Sequence, residues 1–134
     1  MGDIVIRLFV VLFILTAIIF IKLLSKKNIK DLSKLKRVNR DLLPSWQPGK
    51  QSIVFFTNYS CYECEKLQKP ALNLLEKQDT QIFTINASLD QTLANYFKIL
   101  TVPTTIVLDN HGVSQFINHG YTSEKILSAQ LKKL

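Results

Sequence analysis

The sequence is poor in the residues that build metal centres and disulfide scaffolds. Its 134 residues include two cysteines, two histidines, four glycines and four prolines. A structural zinc site needs four ligands, and His111 and His119 are not spaced as a zinc-binding pair. The two cysteines, Cys61 and Cys64, are close in sequence, and a structural disulfide that closes so small a loop would remove little entropy from the unfolded state. We therefore expect no metal and no cofactor.

The chain also lacks internal repeats, low-complexity tracts and a basic folded domain. The net charge is +7, but residues 50–134 contain eight lysines and seven acidic residues, a net charge of +1. A folded reader of nucleic acid carries a basic patch on its own domain. The sequence thus predicts no nucleic-acid partner, and the basic excess belongs to residues that precede position 50.

One long hydrophobic run dominates the N-terminus. Residues 4–24 include only two charged side chains, Arg7 and Lys22, near the two ends. This length crosses a hydrocarbon layer of roughly 30 Å as a helix, and both charged side chains can reach the headgroups. A cleaved signal peptide is the alternative, but the run is long and no small-residue cleavage pattern follows it. We predict a transmembrane helix with the lipid bilayer as its partner.

The orientation of this helix is predicted from the basic residues around it. Those at or beyond its C-terminal end are Lys22, Lys26, Lys27, Lys30, Lys34, Lys36, Arg37 and Arg40. Only Arg7 and the terminal amine lie on the other side. By the positive-inside rule, the C-terminal part faces the cytoplasm, with an extracytoplasmic placement as the alternative.

Residues 25–49 form a basic juxtamembrane segment and linker in this interpretation. Within 27–43, apolar residues recur every three or four positions: Ile29, Leu32, Leu35, Val38 and Leu42. Such a pattern predicts an amphipathic helix, either at the membrane interface or docked on the following domain. Trp46, in the connection that follows, is expected at the membrane interface or over the core.

The two cysteines occur in the stretch CYEC, residues 61–64, between a predicted strand over 52–56 and a predicted helix from Tyr62 onward. Ser60 and Glu63 have the spacing of a capping box. Cys61 would then lie at the helix N-terminus, where backbone N–H groups and the dipole lower the pKa of a thiol. A pair that cycles between dithiol and disulfide is favoured over a metal half-site or a structural disulfide.

The remaining elements alternate along the chain. The pattern predicts a strand over 81–86, a helix through Leu89 to Phe97, a strand that starts at Pro103, a hairpin turn at 109–112 and a last helix from about Thr122, with Ser123 as its cap. The order is strand, helix, strand, helix, strand, strand, helix.

Three features of this order carry a resemblance: the CxxC after the first strand, Val102-Pro103-Thr104 before the hairpin and Gly120 at the hairpin's end. By these features, residues 50–134 resemble the thioredoxin family. The resemblance implies an α/β thioredoxin fold, a four-stranded mixed sheet flanked by helices. It also implies that Cys61 attacks, that Cys64 resolves the mixed disulfide and that Pro103 is a cis-proline facing the pair. Val102 would offer backbone hydrogen bonds to a substrate segment.

The chain departs from thioredoxin itself at several positions. Ser60 stands where thioredoxin has Trp, Tyr62 and Glu63 stand where it has Gly-Pro, and Phe55 stands where it has a buried aspartate. Pro70 comes one residue later than the proline that kinks thioredoxin's helix. The negative charges of Glu63 and the nearby Glu65 raise the pKa of a thiol, against the effect of the helix dipole, and so favour a reducing poise. The alternative is that both are solvated acids of the first turn, where the dipole favours them. Tyr59 and Tyr62 are expected to line the substrate face, with packing at the turn as the alternative.

The predicted function is that of a membrane-anchored thiol-disulfide oxidoreductase. It exchanges disulfides with protein substrates through Cys61 and Cys64, while Ser60 and Glu63 modulate the pair and Tyr62, Val102 and Pro103 contact the substrate. The alternative is a non-catalytic binding module or redox sensor that serves a membrane partner.

Overall fold

The computed structural model of the protein describes residues 1–31 and 36–134. The chain divides into two compact units, Met1–Leu32 and Ser33–Leu134. Two positions of the predicted amphipathic pattern, Leu32 and Leu35, lie outside the described residues.

The first unit is a single helix, α1, over Gly2–Asp31. Its first 21 residues, Gly2–Lys22, are long and apolar enough to cross a membrane. Large side chains such as Phe9 and Phe13 are exposed along it. The predicted helix over 4–24 is present, and its composition suits a membrane span as well as a signal sequence.

The second unit is built on a four-stranded mixed sheet. Its strands are β1 (Ser52–Thr57), β2 (Gln81–Asn86), β3 (Thr104–Leu108) and β4 (Ser114–His119). Their order in the sheet is β2-β1-β3-β4. The β1–β2 pair is parallel and the β1–β3 and β3–β4 pairs are antiparallel, which confirms the mixed sheet that the resemblance implied.

Three helices complete this unit: α2 (Lys69–Glu76), α3 (Gln91–Phe97) and α4 (Glu124–Leu131). A π-helical turn, Cys64–Gln68, leads directly into α2. This wide turn precedes Pro70, whose ring would clash with the carbonyl of residue 66 in a regular helix. The helix therefore accommodates Pro70 with a π-helical turn.

The alternating side chains of β1 divide the core between the two faces of the sheet. Val54 and Phe56 pack in one cluster with α3, and the Phe56 and Phe97 rings meet edge to face at 6.0 Å. Ile53 and Phe55 pack in the other cluster, with residues of α2 and α4. Helices cover both faces, as predicted for this fold class.

Of two predicted helix starts, that of α3 differs from the structure and the N-cap of α4 agrees with it. Helix α3 begins at Gln91 rather than near Leu89, because the Asp90 carboxylate caps it by accepting a hydrogen bond from the Leu93 N–H (3.0 Å). Leu89 lies in the preceding turn and is exposed. Ser123 occupies the N-cap position of α4, as predicted, although its side chain makes no capping hydrogen bond.

Residues 36–46 pack on the sheet as extended chain and turns, so the amphipathic helix predicted over 27–43 is wrong in this part. The Val38 N–H donates to the Gly112 carbonyl (2.8 Å), and Arg37 forms an isolated antiparallel bridge with Val113. Val38, Leu43 and Trp46 are buried in the cluster on the α3 side. The membrane-interface alternative for Trp46 is therefore wrong, and its indole belongs to the core.

Tyr96 secures this segment with both functions of its hydroxyl, which accepts from the Arg37 N–H (3.1 Å) and donates to the Arg37 carbonyl (2.9 Å). Loss of these bonds should cost about 1–2 kcal/mol. We expect Tyr96→Phe to lower the free energy of unfolding by that amount, measured in full-length protein in detergent by the fluorescence of Trp46. The control Tyr59→Phe removes an exposed hydroxyl, and an equal loss in both variants would contradict this role.

Candidate functional site

The sheet topology gathers four connections at one edge. The carboxyl ends of β1 and β2 lie there because the two strands are parallel, and the antiparallel pairings bring the start of β3 and the end of β4 to the same edge. This edge consequently receives the CxxC turn after Thr57, Pro103 before β3 and Gly120 after β4.

A short polar turn delivers the chain from β1 to the first cysteine. The Asn58 side-chain oxygen accepts a hydrogen bond from the Ser60 N–H (3.1 Å), the geometry of an Asx turn. Cys61 follows this turn and Tyr62 begins the helix. The turn therefore determines where the backbone of Cys61 lies relative to the end of β1.

Cys61 itself occupies the N-cap position. Its Sγ accepts a hydrogen bond from the Cys64 N–H (3.1 Å), three residues into the helix, where a capping oxygen ordinarily accepts. The predicted Ser60–Glu63 capping box is therefore wrong by one residue. This contact places the Cys61 sulfur among the free N–H groups of the helix, where a thiolate is favoured.

The two cysteines form a disulfide, with their Cα atoms 5.2 Å apart. Cys64 is fully buried and Cys61 is partly buried. Phe55, at the position where the resemblance notes an aspartate in thioredoxin, is in the same core cluster as Cys64. Thus position 55 contributes no carboxyl group, and only the Cys61 side of the disulfide is open to solvent.

The Val102–Pro103 peptide is cis, as the resemblance implied. Pro103 is buried, and its carbonyl accepts a hydrogen bond from the Gly120 N–H (2.8 Å). Val102 is partly buried and packs against both core clusters, whereas Cys61 packs against the cluster that holds Cys64. The segment Val102–Pro103, called the proline loop below, and Cys61 therefore lie over a common part of the core.

The remaining predicted site residues lie at the surface. Tyr59 and Tyr62 are 81% and 72% exposed. The two rings are therefore not packed at the turn, and the packing alternative is wrong. Ser60 and Glu63 are exposed. Glu65 forms an ion pair with Lys69 (2.5 Å) that is open to solvent, so much of its charge is offset by a lysine one turn away.

The two histidines lie at opposite ends of the sheet, and His119 shares the end that carries the cysteine pair. His111 is in the β3–β4 turn, where its backbone N–H donates to the Asp109 carboxylate (2.9 Å). His119 ends β4, and its ring Nδ1 lies 3.4 Å from the Thr104 hydroxyl. Within residues 1–31 and 36–134, no group of three His, Cys, Asp or Glu side chains could hold a metal ion.

Sequence reasoning missed Gln68, which is fully buried one helical turn after Cys64. Its amide is bonded to the backbone of Thr122, at the beginning of α4. The only available signal was its spacing of four residues from Cys64, which places both residues on one helix face.

The mixed sheet with helices on both faces, a disulfide-bonded CxxC at a helix N-terminus and a cis-proline before β3 define the thioredoxin class of folds. Residues 38–134 match the thioredoxin-like domain family, and the chain belongs to that family. The family match starts at Val38, in agreement with the place of this residue in the core.

Solved structures agree with this assignment at the level of the fold. A single-substitution mutant of the thioredoxin of Halobacterium salinarum is 20% identical, with a TM-score of 0.63 over 72% of this chain and 85% of its own. An uncharacterised thioredoxin-like protein from Clostridium perfringens is 23% identical, with a TM-score of 0.58 over 69% of this chain and 76% of its own.

A further structural relative is thioredoxin-2 of the malaria parasite, described as a component of that parasite's protein secretion machinery. It is 20% identical, with a TM-score of 0.58 over 63% of this chain and 84% of its own. No curated protein matches the sequence significantly. At these identities the structural likeness shows the fold, and the chemistry has to be argued from this chain's own residues.

Proposed function

We propose that the protein is a membrane-anchored thiol-disulfide oxidoreductase that exchanges disulfides with protein substrates. The observation that carries this proposal is the asymmetry of the cysteine pair. The partly exposed Cys61 sulfur lies at a helix N-terminus, and the Cys64 sulfur behind it is fully buried. An accessible attacking thiolate and a sheltered resolving thiol are what a two-step exchange requires.

In the reducing direction, the Cys61 thiolate attacks one sulfur of a substrate disulfide. The substrate S–S bond breaks, a Cys61–substrate disulfide forms, and the other substrate sulfur leaves as a thiolate that takes a proton from water. Cys64, after losing its proton, attacks the Cys61 sulfur and releases the second substrate thiolate. Two electrons have then passed to the substrate, and a dithiol reductant must regenerate the pair.

Other residues of the site have supporting roles in this proposal. The backbone of Val102, beside the buried Pro103, pairs with an extended substrate segment, and the exposed Tyr62 ring contacts its side chains. Ser60 and Glu63 flank the pair at the surface. The negative charge of Glu63 disfavours the Cys61 thiolate and moves the couple toward the reducing end of the family's range.

The division of the chain follows from the same proposal. Residues 4–24 anchor the protein, residues 25–49 connect and in part pack on the folded unit, and residues 50–134 carry the redox chemistry. The basic residues between positions 22 and 40 favour a cytoplasmic location of this part by the positive-inside rule, with an extracytoplasmic location as the alternative. Cytosolic dithiol reductants would then supply the electrons.

Placement of the cysteines is tested by labelling intact cells with a membrane-impermeant thiol reagent after mild reduction. Because the sequence has only two cysteines, a Cys61→Ser/Cys64→Ser double variant is a complete control for background. We expect labelling only after the cells are permeabilised. Equal labelling of intact cells would place the domain outside the cytoplasm and contradict the assigned orientation.

The exchange reaction itself is tested with full-length reduced protein in detergent. The probe is a peptide whose single cysteine is disulfide-bonded to an aromatic thiol, thionitrobenzoate, which is the better leaving group because its pKa is low. Attack by Cys61 releases coloured aromatic thiolate, and resolution by Cys64 releases the peptide thiol. We expect one equivalent of each, whereas a purely non-catalytic module would release neither faster than free dithiol does.

A further inference from the structure

The amide of Gln68 makes an unusual pair of buried hydrogen bonds. Its Nε2 donates to the Thr122 carbonyl (3.0 Å), and its Oε1 accepts from the Thr122 N–H (2.9 Å). Gln68 is fully buried and Thr122 is nearly so. One side chain therefore satisfies both backbone groups of a residue 54 positions further along the chain.

Only glutamine meets all the requirements of this position. Asparagine is one methylene shorter, glutamate has no donor when ionised, and an apolar side chain would leave the Thr122 N–H and carbonyl unpaired. Unpaired buried backbone groups are costly. The position therefore ties the π-helical turn that begins at Cys64 to the connection between β4 and α4.

That connection is bonded in turn to the proline loop. The Gly120 N–H donates to the Pro103 carbonyl (2.8 Å), and the Thr122 hydroxyl lies 3.4 Å from the Gly120 carbonyl. A continuous path of contacts thus runs from the helical turn of Cys64 through Gln68, Thr122 and Gly120 to Pro103. The buried amide of Gln68 thus adds a hydrogen-bonded link between the cysteine pair and the proline loop, besides the core packing that both share.

We propose that Gln68 is a positioning residue for the second step of the exchange. This inference rests on the proposed function. Gln68 holds the turn that carries Cys64 against the β4–α4 connection, so that the Cys64 sulfur stays within reach of the Cys61–substrate disulfide. The first step does not need the Gln68 amide, because Cys61 precedes the helix and directly follows the Asn58 turn, whose hydrogen bond does not involve Gln68.

The test separates the two steps with the aromatic peptide disulfide described above. In Gln68→Met, an unbranched apolar side chain of similar length replaces the amide. We expect aromatic thiolate to be released at about the wild-type rate and peptide thiol about tenfold more slowly, equivalent to about 1.4 kcal/mol of barrier. The Cys61–peptide disulfide should accumulate and be visible by mass spectrometry after acid quench.

Gln130→Met is the matched control. Gln130 also has a doubly bonded amide, donating to the Asn118 oxygen (2.8 Å) and accepting from the Asn118 amide (2.9 Å), but these bonds join α4 to β4 rather than to the turn of Cys64. Loss of the Gln130 amide should lower the free energy of unfolding and leave unchanged the ratio between the rates of aromatic thiolate release and peptide thiol release. If Gln68→Met does not fold, Gln68→Asn serves for the same measurement, because its neutral amide is one methylene too short to reach both backbone groups of Thr122.

The outcomes separate this inference from the function on which it rests. Peptide release at the wild-type rate in the Gln68 variant, or an equal slowing in Gln130→Met, would overturn the positioning role while the oxidoreductase assignment stands. Equal slowing of both steps in the Gln68 variant would show a general structural role and would also overturn it. Wild-type protein that releases no aromatic thiolate would overturn the proposed function and this inference together.

Discussion

Cys61→Ser is expected to lose all detectable exchange with the aromatic peptide disulfide. A serine hydroxyl is not ionised at neutral pH and cannot form a disulfide, so the helix N-terminus has no thiolate to stabilise. The substitution replaces one atom at a partly exposed position, and its effect on folding should therefore be small. The rate of aromatic thiolate release, compared with buffer alone, measures this loss.

The partner variant Cys64→Ser distinguishes loss of attack from loss of resolution. Its Cys61 remains able to attack, so aromatic thiolate should be released while the Cys61–peptide disulfide persists until a dithiol is added. Both variants lack the native disulfide, which makes each the other's control for its removal. Exchange that survives in Cys61→Ser, or an adduct on Cys64 in place of Cys61, would contradict the assigned roles.

Gly112→Ala should be among the most destabilising single changes in the folded unit. Gly112 has φ of +77°, a conformation that costs an L-residue about 1–2 kcal/mol. An added Cβ would also lie 2.7 Å from the Val38 carbonyl oxygen and 2.9 Å from the Trp46 ring, so the backbone of the 36–46 segment would have to move. With about 1–3 kcal/mol for overpacking, the free energy of unfolding should fall by about 3 kcal/mol.

Gly49→Ala is the control for the backbone term alone. Gly49 has φ of +89°, and a Cβ there would meet nothing within 4 Å. We expect a loss of about 1 kcal/mol, measured like that of Gly112→Ala by denaturant unfolding of full-length protein followed through Trp46. Equal losses in the two variants would contradict close packing of residues 36–46 against the β3–β4 turn.

The strands and the cysteine pair were predictable from local patterns. The β-branched run before the CxxC, the proline ahead of β3 and the turn at 109–112 each mark an element boundary by backbone chemistry that the neighbouring residues alone determine. That Cys61 and Pro103 belong to one end of the sheet came only from the resemblance to the thioredoxin family, because the element order alone does not determine which strands pair.

Features that depend on tertiary contacts were not predictable in this way. The helical spacing of Val38 and Leu42 predicted an amphipathic helix, yet backbone pairing with Gly112 and Val113 and burial of Val38 outweigh that local pattern. Gln68 resembled any polar helix residue, since its partner Thr122 is distant in sequence. The pattern predicted Ser60 as the cap because a hydroxyl is the commoner capping group. In the structure, the Cys61 sulfur accepts the capping hydrogen bond from the Cys64 N–H.

The central claim is that Cys61 and Cys64 form a reversible two-electron couple, and a redox titration tests it most directly. Full-length protein in detergent would be equilibrated with buffers of dithiol and disulfide at graded potentials, and the free thiols counted after alkylation. We predict one transition, in which the ratio of reduced to oxidised protein changes tenfold per about 29.6 mV, with a midpoint below about −150 mV. A disulfide that stays closed in excess dithiol, or a midpoint above that value, would contradict the account.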